Sequence, residues 1–402
     1  MIPRGKLYIS YKDLVFGAYY CLTDRFRSQR PDVNQHSNEL VCLSVRTGID
    51  LVLNALNFPP GFEMIVTDIN IPDMFAIINW HELTLVPIPV NKYTLNMSPA
   101  QVEAAITPAT KAILITHLFG GIMETEAIVA IAKKHNLIIF EDCAQVYAGN
   151  LYEGNPESDV VMFSFGFIKT NTAISGAMVK IKDPALYAEV AARNRVYDQQ
   201  NTAGYFKKLF KVLFVKLLTN KTIYTGFYNL VMALGKDFEE VLDGFTKGFP
   251  GDDIFKQIQH QPSIPNQRLL RKKLANFDQY SITKRIQLAH DILSNIPDNY
   301  KIGFENKRHT YWVMPVETND PDGLIRHLRS NGFDASQKAS SLIKLGKAGV
   351  APQPNELTLE NLVYLPVYPA MSRKDRDKLT QLLVDFPLVN NLTLHHASHA
   401  KY

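Results

Sequence analysis

Between residues 37 and 182 the chain alternates short apolar runs with helical patterns, and this alternation constrains the fold more than any other feature. Strand-like runs such as "EMIVTDI", "KAILITHLFG" and "NLIIFED" are separated by amphipathic segments such as "METEAIVAIAKKH". Short apolar strands between helices predict a buried, largely parallel sheet that is covered by helices. In such a sheet, functional groups collect just beyond the carboxyl ends of the strands.

Three polar residues follow predicted strands. His117 comes after "KAILIT", Asp142 closes "NLIIFED", and Lys169 comes after "DVVMFSFGFI". We expect them to converge on one crevice, because neighbouring parallel strands end at the same edge of the sheet. Burial would ease the loss of a proton from Lys169, and a neutral amine is a nucleophile that forms Schiff bases. The alternative is a strand-end lysine whose stem packs while its ammonium group reaches water.

The length of 402 residues exceeds that of one ordinary domain. The pattern predicts a large domain over residues 1–280, a smaller α/β domain over 281–387 and a flexible polar tail over 388–402. Net charge is +4, from 43 basic and 39 acidic residues, which is too balanced to indicate a nucleic-acid partner. The three cysteines are widely spaced, so they predict neither a disulfide framework nor a metal site.

The first residues, "MIPRGKLYIS", lack the apolar core of a signal peptide, and no apolar stretch is long enough to span a bilayer. We therefore expect a cytoplasmic protein. The tail contains His395, His396 and His399, which could bind a metal ion weakly. We interpret them as part of a solvated tail.

Residues 204–258 form an unusual apolar and basic insertion. Within it, residues 206–221 place apolar side chains at helical spacing with lysines interleaved. Such an amphipathic segment could lie on a membrane surface. A helix that packs on the main domain or at a subunit interface is the alternative.

The most informative motifs are "FEDCAQ" (140–145) and "FSFGFIK" (163–169). Their order and spacing resemble the DegT/StrS family of pyridoxal 5'-phosphate (PLP)-dependent sugar aminotransferases, whose strings read roughly "EDAAQ" and "FSFYPTK". The resemblance extends to "ITPATKAILITHLFG", "GAMVKIKDPALYAEVAARNR" and "LPVYPAMSRKDRDKL". It implies the aspartate aminotransferase (type I) fold. That fold has a large domain with a mostly parallel, mixed seven-stranded sheet sandwiched by helices, and a smaller C-terminal α/β domain.

The resemblance assigns roles to four residues of the two motifs. Lys169 would hold the PLP aldehyde as an imine and then shuttle the proton once the donor amine has displaced it. Asp142 would keep the pyridine nitrogen protonated, which makes the cofactor an electron sink. Gln145 would hydrogen-bond the O3' edge of the ring, and Ser164 would donate its hydroxyl to the phosphate.

The phosphate-cradling "SGTAAL" of the family reads "SVRTGI" here. Val45 replaces a glycine and would hinder close approach of the backbone to a phosphate. Arg46 could bind the phosphate by charge, and Thr47 with the following helix N-terminus could add donors.

Two further positions depart from the family pattern. Ile71 or a neighbour stands where an aromatic residue stacks on the pyridine ring. The asparagine that reaches the phosphate from the partner subunit has no clean match, and Gln259 or His260 is the nearest candidate. His117, His309 and Tyr147 are candidates for the wall of the site, although ordinary packing would explain each of them equally well.

The predicted function is transfer of an amino group from glutamate or a similar donor to a keto-sugar, typically nucleotide-linked, by a ping-pong mechanism in a homodimer. One alternative is a PLP-fold protein with a degenerate site that acts as a regulatory or binding module. Another is a peripheral membrane aminotransferase with a lipid-linked acceptor, and a third is a purely structural scaffold.

Overall fold

The computed structural model describes residues 1–24, 38–246, 253–337, 341–346 and 355–386. The predicted flexible tail and its three histidines lie outside these residues. Helices α1 to α14 span, in chain order, Tyr11–Thr23, Val45–Leu56, Pro72–Trp80, Pro99–Ala104, Glu126–Lys134, Pro184–Val196, Thr202–Leu218, Lys221–Ala233, Phe238–Thr246, Ile254–Ile258, Ile264–Ala275, Gln279–Leu293, Pro321–Ser330 and Arg373–Asp385. Strands β1 to β13 span Glu39–Cys42, Glu63–Thr67, Ile69–Asn70, Thr84–Ile88, Thr110–Thr116, Ile138–Asp142, Val160–Ser164, Ala177–Ile181, Asp198–Gln199, His260–Gln261, Met314–Glu317, Ile343–Lys344 and Leu362–Leu365.

A seven-stranded sheet forms the centre of the large domain, in the order β1-β8-β7-β6-β5-β2-β4. Strand β8 pairs antiparallel with both β1 and β7. The pairs β7–β6, β6–β5, β5–β2 and β2–β4 are parallel. This arrangement confirms the mostly parallel, mixed seven-stranded sheet that the sequence predicted.

Both faces of the sheet are apolar, as the continuous hydrophobic runs of the sequence require. In β5, Ala112 and Leu114 point to the core cluster that includes residues of α2, α3 and α6, whereas Ile113 and Ile115 point to the cluster that includes residues of α5. Because side chains of a strand alternate between faces, this run of four apolar residues serves two cores.

Helix α2 begins at Val45, directly after its N-cap residue Ser44. The Ser44 side chain accepts a hydrogen bond from the Thr47 backbone N–H and so caps the first turn. The helix ends at Leu56, where Asn57 adopts the left-handed conformation with φ 45°. The N-terminus of α2 consequently lies directly after β1, within the predicted phosphate-cradling motif.

The smaller domain is built on the antiparallel pair β11–β13, with a core shared by α12, α13 and α14. The first residues of the chain also belong to this domain, because Ile2 lies in its core and forms a β-bridge with Phe333. The Arg4 guanidinium is 2.7 Å from a carboxylate oxygen of Asp334. The predicted boundary of 281–387 therefore leaves out this N-terminal segment.

The described residues of the insertion lie in helices α7, α8, α9 and α10, and the first three of these together contact both domains. Helix α7 packs on α1 and α11 of the large domain. From α9, Glu239 pairs with both Arg4 and Arg329. Within the described residues, the search for a helix long and apolar enough to cross a membrane finds none.

Candidate active site

Asp142 and Ser164 are the last residues of the adjacent strands β6 and β7, and His117 directly follows β5. The Asp142 side chain is buried, and its Oδ1 accepts a hydrogen bond of 2.9 Å from the Ala144 N–H. Burial raises the pKa of Asp142, while the positive charges of Lys169 and Arg46 act in the opposite direction. The predicted acid and lysine therefore do converge at one edge of the sheet, and Arg46 lies close enough to affect both.

Lys169 lies in the turn after β7, and its backbone N–H donates to the Gly166 carbonyl. Its ammonium nitrogen is 4.2 Å from the centroid of the Trp312 indole ring. Burial lowers the pKa of Lys169 to about 8, because desolvation penalises the ammonium form more than Asp142 stabilises it. The alternative of an ordinary lysine whose head group is fully hydrated at a strand end does not fit this environment.

Trp312 is a site residue that the sequence did not indicate. Its indole N–H donates to the Ile168 carbonyl at 3.2 Å, so the smaller domain places a fixed ring beside the lysine. Gly120 lies against the same segment with φ +100°, and a Cβ there would be 2.4 Å from the Trp312 backbone nitrogen. The chain has only two tryptophans, and this rarity was the one available signal.

At the start of α2, Arg46 forms a 2.6 Å ion pair with Asp73 of α3 and stays half-buried. The Thr47 hydroxyl donates to the Ile258 carbonyl at 2.9 Å, and its N–H is taken by Ser44. Arg46 and Thr47, which were predicted to bind a phosphate, therefore both have polar partners within the protein. Val45 is buried and packs in the core cluster that includes other residues of α2.

The other predicted cofactor residues lie around this edge. Gln145 is buried, and its Oε1 accepts a 2.7 Å hydrogen bond from the Phe119 N–H. Ser164 is half-buried, with its hydroxyl 3.4 Å from the Gly166 nitrogen. Ile71 immediately precedes α3 and packs partly against the core. Gln259 is exposed at the end of α10, next to the Ile258 carbonyl that Thr47 binds.

Behind the edge lies a buried network that involves one of the predicted wall residues. His117 is fully buried, and its Nδ1 accepts from the Met123 N–H, which leaves Nε2 to donate to Glu141 at 2.9 Å. Burial alone would raise the pKa of Glu141, but hydrogen bonds from His117 and Tyr152 outweigh it and lower the pKa to about 2. His117 therefore supports the strand ends and does not line the crevice.

The remaining wall candidates are packing residues as well. Tyr147 is buried and makes edge contacts with the rings of Phe163 and Phe165. His309 is buried and stacks on Tyr311 with ring centroids 3.9 Å apart. Burial lowers the pKa of His309 to about 3, which keeps its imidazole neutral. Packing explains all three, as the alternative interpretation of the sequence stated.

The chain has a type I α/β fold, and the ends of its strands carry an acid and a lysine of lowered pKa. Comparison with known proteins agrees with this class of fold. Residues 24–212 match the model of the DegT/DnrJ/EryC1/StrS aminotransferase family. This match confirms, for that part of the chain, the family resemblance that the motifs carried.

Individual proteins of known name resemble the chain in sequence or in structure. The chain is 32% identical to GDP-perosamine synthase of Caulobacter vibrioides over 154 residues, which cover 38% of this chain and 41% of that protein. The chain thus aligns with about two fifths of the length of this curated relative.

Solved structures match almost the whole chain. The crystal structure of DesV from S. venezuelae in complex with a ketimine intermediate aligns with a TM-score of 0.65 and 18% identity, covering 95% of this chain and 97% of that one. NtdA from Bacillus subtilis with bound cofactor PMP aligns with a TM-score of 0.63 and 16% identity, covering 95% and 83%. These likenesses confirm the predicted fold.

Proposed function

We propose that this protein is a PLP-dependent aminotransferase that moves an amino group from glutamate or a similar donor to a keto-sugar, typically one linked to a nucleotide. The observation that carries the proposal is that Lys169, whose pKa burial lowers to about 8, lies at the same sheet edge as the buried carboxyl of Asp142 and close enough for each charge to affect the other. The family match and the nucleotide-sugar relative support the acceptor class.

The residues present fit PLP. Burial raises the pKa of Asp142, so this carboxyl lacks a sufficient cation within the protein itself. A protonated pyridine nitrogen would supply that cation and would return the carboxyl to its charged form. Arg46, which is paired with Asp73, would share its charge with the phosphate, and Ser164 would be a further donor. When bound, PLP supplies an aldehyde for amine exchange and a ring that stabilises a carbanion.

The chemistry of the chain itself follows from these environments. A lysine with a pKa near 8 is neutral in a useful fraction of molecules near neutral pH, so Lys169 can act as nucleophile and as proton carrier. The Trp312 ring and the Ile168 carbonyl restrict where that amine can move. The donor amino acid would leave as a keto acid before the ketone is aminated, which is a ping-pong sequence.

Visible absorption of the purified protein with added PLP tests the proposal. Wild type should turn yellow, bleach with glutamate and, after borohydride reduction, carry the cofactor mass on the peptide that contains Lys169. Lys169→Ala should stay colourless, whereas Lys182→Ala, which changes the lysine directly after strand β8, should behave as wild type. A wild-type protein that ignores PLP would refute the proposal.

A regulatory or binding module with a degenerate site is the second candidate. Ile71, in the place expected for an aromatic residue, favours it, and so does Val45, in the place of the family's glycine. Yellow colour without bleaching by any amino donor would select this candidate.

We also propose a homodimer, with Gln259 or His260 reaching the partner's site, and a cytoplasmic location with peripheral membrane contact through residues 206–221. A lipid-linked acceptor would be a natural substrate for such a protein. Comparing nucleotide-linked and lipid-linked ketones as acceptors in the second half-reaction would decide between the two acceptor classes.

A further inference from the structure

Helices α1, α7, α8 and α11 form a group whose charge is one-sided. The chain as a whole is nearly balanced, with 43 basic and 39 acidic residues. Within these four helices the only acidic residue is Asp13, and it is paired with Lys273. The basic residues of the same helices are Lys12, Lys207, Lys208, Lys211, Lys216, Lys221, Arg268, Arg271, Lys272 and Lys273.

The exposed side of α1 is apolar. Val15 and Leu22 are 68% and 69% exposed, and Tyr11 and Tyr19 are more than half exposed on the same helix. These four residues follow helical spacing, so they form one stripe along the surface. Buried residues on the opposite side of α1 pack toward the core.

Helix α7 presents a second apolar stripe beside the first. Phe210 is 59% exposed, and Phe214 and Leu217 follow it on the same side, with Lys207 and Lys211 also exposed. The two helices pack tightly, because a Cβ on Gly17 would lie 2.7 Å from a methyl group of Leu209.

Cations lie beside the aromatic rings of this surface. The Lys216 ammonium is 5.0 Å from the Tyr11 ring centroid, and the Lys272 ammonium is 4.2 Å from that of Phe16. Aromatic side chains flanked by lysines are typical of helices that lie in the interface of a bilayer, where rings reach the acyl boundary and ammonium groups meet phosphates.

We propose that the exposed stripes of α1 and α7 form a docking face for a bilayer that contains anionic phospholipid. Charge complementarity selects this occupant. A symmetric contact with a second copy would place the same lysines against each other, because both subunits use the same patch. Anionic headgroups neutralise these lysines while the acyl boundary receives Phe210, Val15 and Leu22. The face is separate from Lys169 and Asp142, so the proposal does not depend on the transaminase chemistry.

Co-sedimentation of the full chain with vesicles tests the docking face. Wild type should pellet with vesicles of phosphatidylcholine and phosphatidylglycerol, should stay in solution with phosphatidylcholine alone, and should be released by salt. The double variant Lys207→Glu/Lys211→Glu should bind at least about twentyfold more weakly, since each lysine near an anionic surface contributes about fivefold. Lys256→Glu/Lys307→Glu makes the same charge change outside the four helices and should bind as wild type.

A second variant tests how much the exposed apolar side chains contribute to vesicle binding. Phe210→Ser/Phe214→Ser should abolish pelleting, whereas Trp80→Ser, an exposed aromatic residue on α3, should leave it unchanged. Bleaching by glutamate is measured separately, in the absence of vesicles, and should be retained in every variant. Loss of membrane binding and loss of the proposed enzyme activity can therefore be distinguished.

Three results would overturn the proposal. Wild type could stay in solution with the anionic vesicles. The phenylalanine variant could convert a dimer to a monomer in gel filtration, which would assign the face to a second copy. It could instead lower the thermal midpoint by many degrees, which would mean that another segment of this chain covers the face.

Discussion

Replacing Lys169 by methionine should make the protein more stable at neutral pH, although it removes the proposed nucleophile. The lysine stem keeps its place against Trp312, since methionine has a similar length and no charge. The folded protein lowers the pKa of Lys169 from 10.5 to about 8, and desolvation is the largest cause. The unfolded chain therefore binds the proton more tightly than the folded one, and the ammonium form opposes folding.

The magnitude follows from the size of that shift. A change of this size corresponds to at most about 3 kcal/mol at pH 7, because one pKa unit is worth about 1.4 kcal/mol. The side chain is half-buried, and the Trp312 ring stabilises the ammonium form, so we expect a gain of about 2 kcal/mol. The gain should be constant below pH 8 and should shrink to nothing as the pH rises to about 10.5.

Thermal denaturation without cofactor, repeated from pH 7 to pH 10.5, measures this effect. The midpoint of Lys169→Met should exceed that of wild type by about 2–4 °C at pH 7, with the two curves converging at high pH. Lys182→Met is the matched control, because Lys182 lies at the surface in an ion pair with Glu157 and should gain nothing. A less stable Lys169→Met, or a difference that persists unchanged to pH 10.5, would refute the reasoning.

Three further substitutions test individual interactions of the fold. Wild-type stability should fall as the pH drops from about 4.5 to about 2 through protonation of Glu141, and Glu141→Gln should remove about 3 kcal/mol of that dependence in an acid titration. Gly120→Ala should destabilise the protein by about 2 kcal/mol or more and shift the tryptophan fluorescence, because the new Cβ meets the Trp312 backbone. Glu239→Gln should lower stability by about 2 kcal/mol in chemical denaturation, because Arg4 loses a charged, half-buried partner.

The sequence predicted those parts of the fold that depend on local pattern. The period of the apolar runs was sufficient for the parallel sheet, and the position of Lys169 and Asp142 after their strands was sufficient to bring them to one edge. Trp312 could not be found in this way, since it lies 144 positions from the Ile168 carbonyl it binds. Contacts between domains depend on how the domains pack, which no periodicity records.

The sequence also could not predict which groups contact each other in the folded chain. Thr47 follows a motif that predicts a phosphate ligand, yet its hydroxyl binds the Ile258 carbonyl near the end of the insertion. The sequence predicted an amphipathic segment over residues 206–221 of the insertion, and the structure divides the described part of the insertion into helices α7, α8, α9 and α10. Amphipathicity alone does not specify which neighbour an apolar stripe contacts.

The attachment of the first residues to the smaller domain has a consequence for the order of folding. Arg4 and Asp334 are hydrogen-bonded although 330 positions separate them. The segment around Ile2 therefore stays without its partner, the segment around Phe333, until most of the chain has been synthesised. Contacts of such long sequence separation form late, because loop closure must precede them. We expect the central sheet to assemble first and this segment to join last, together with the C-terminal part of the chain.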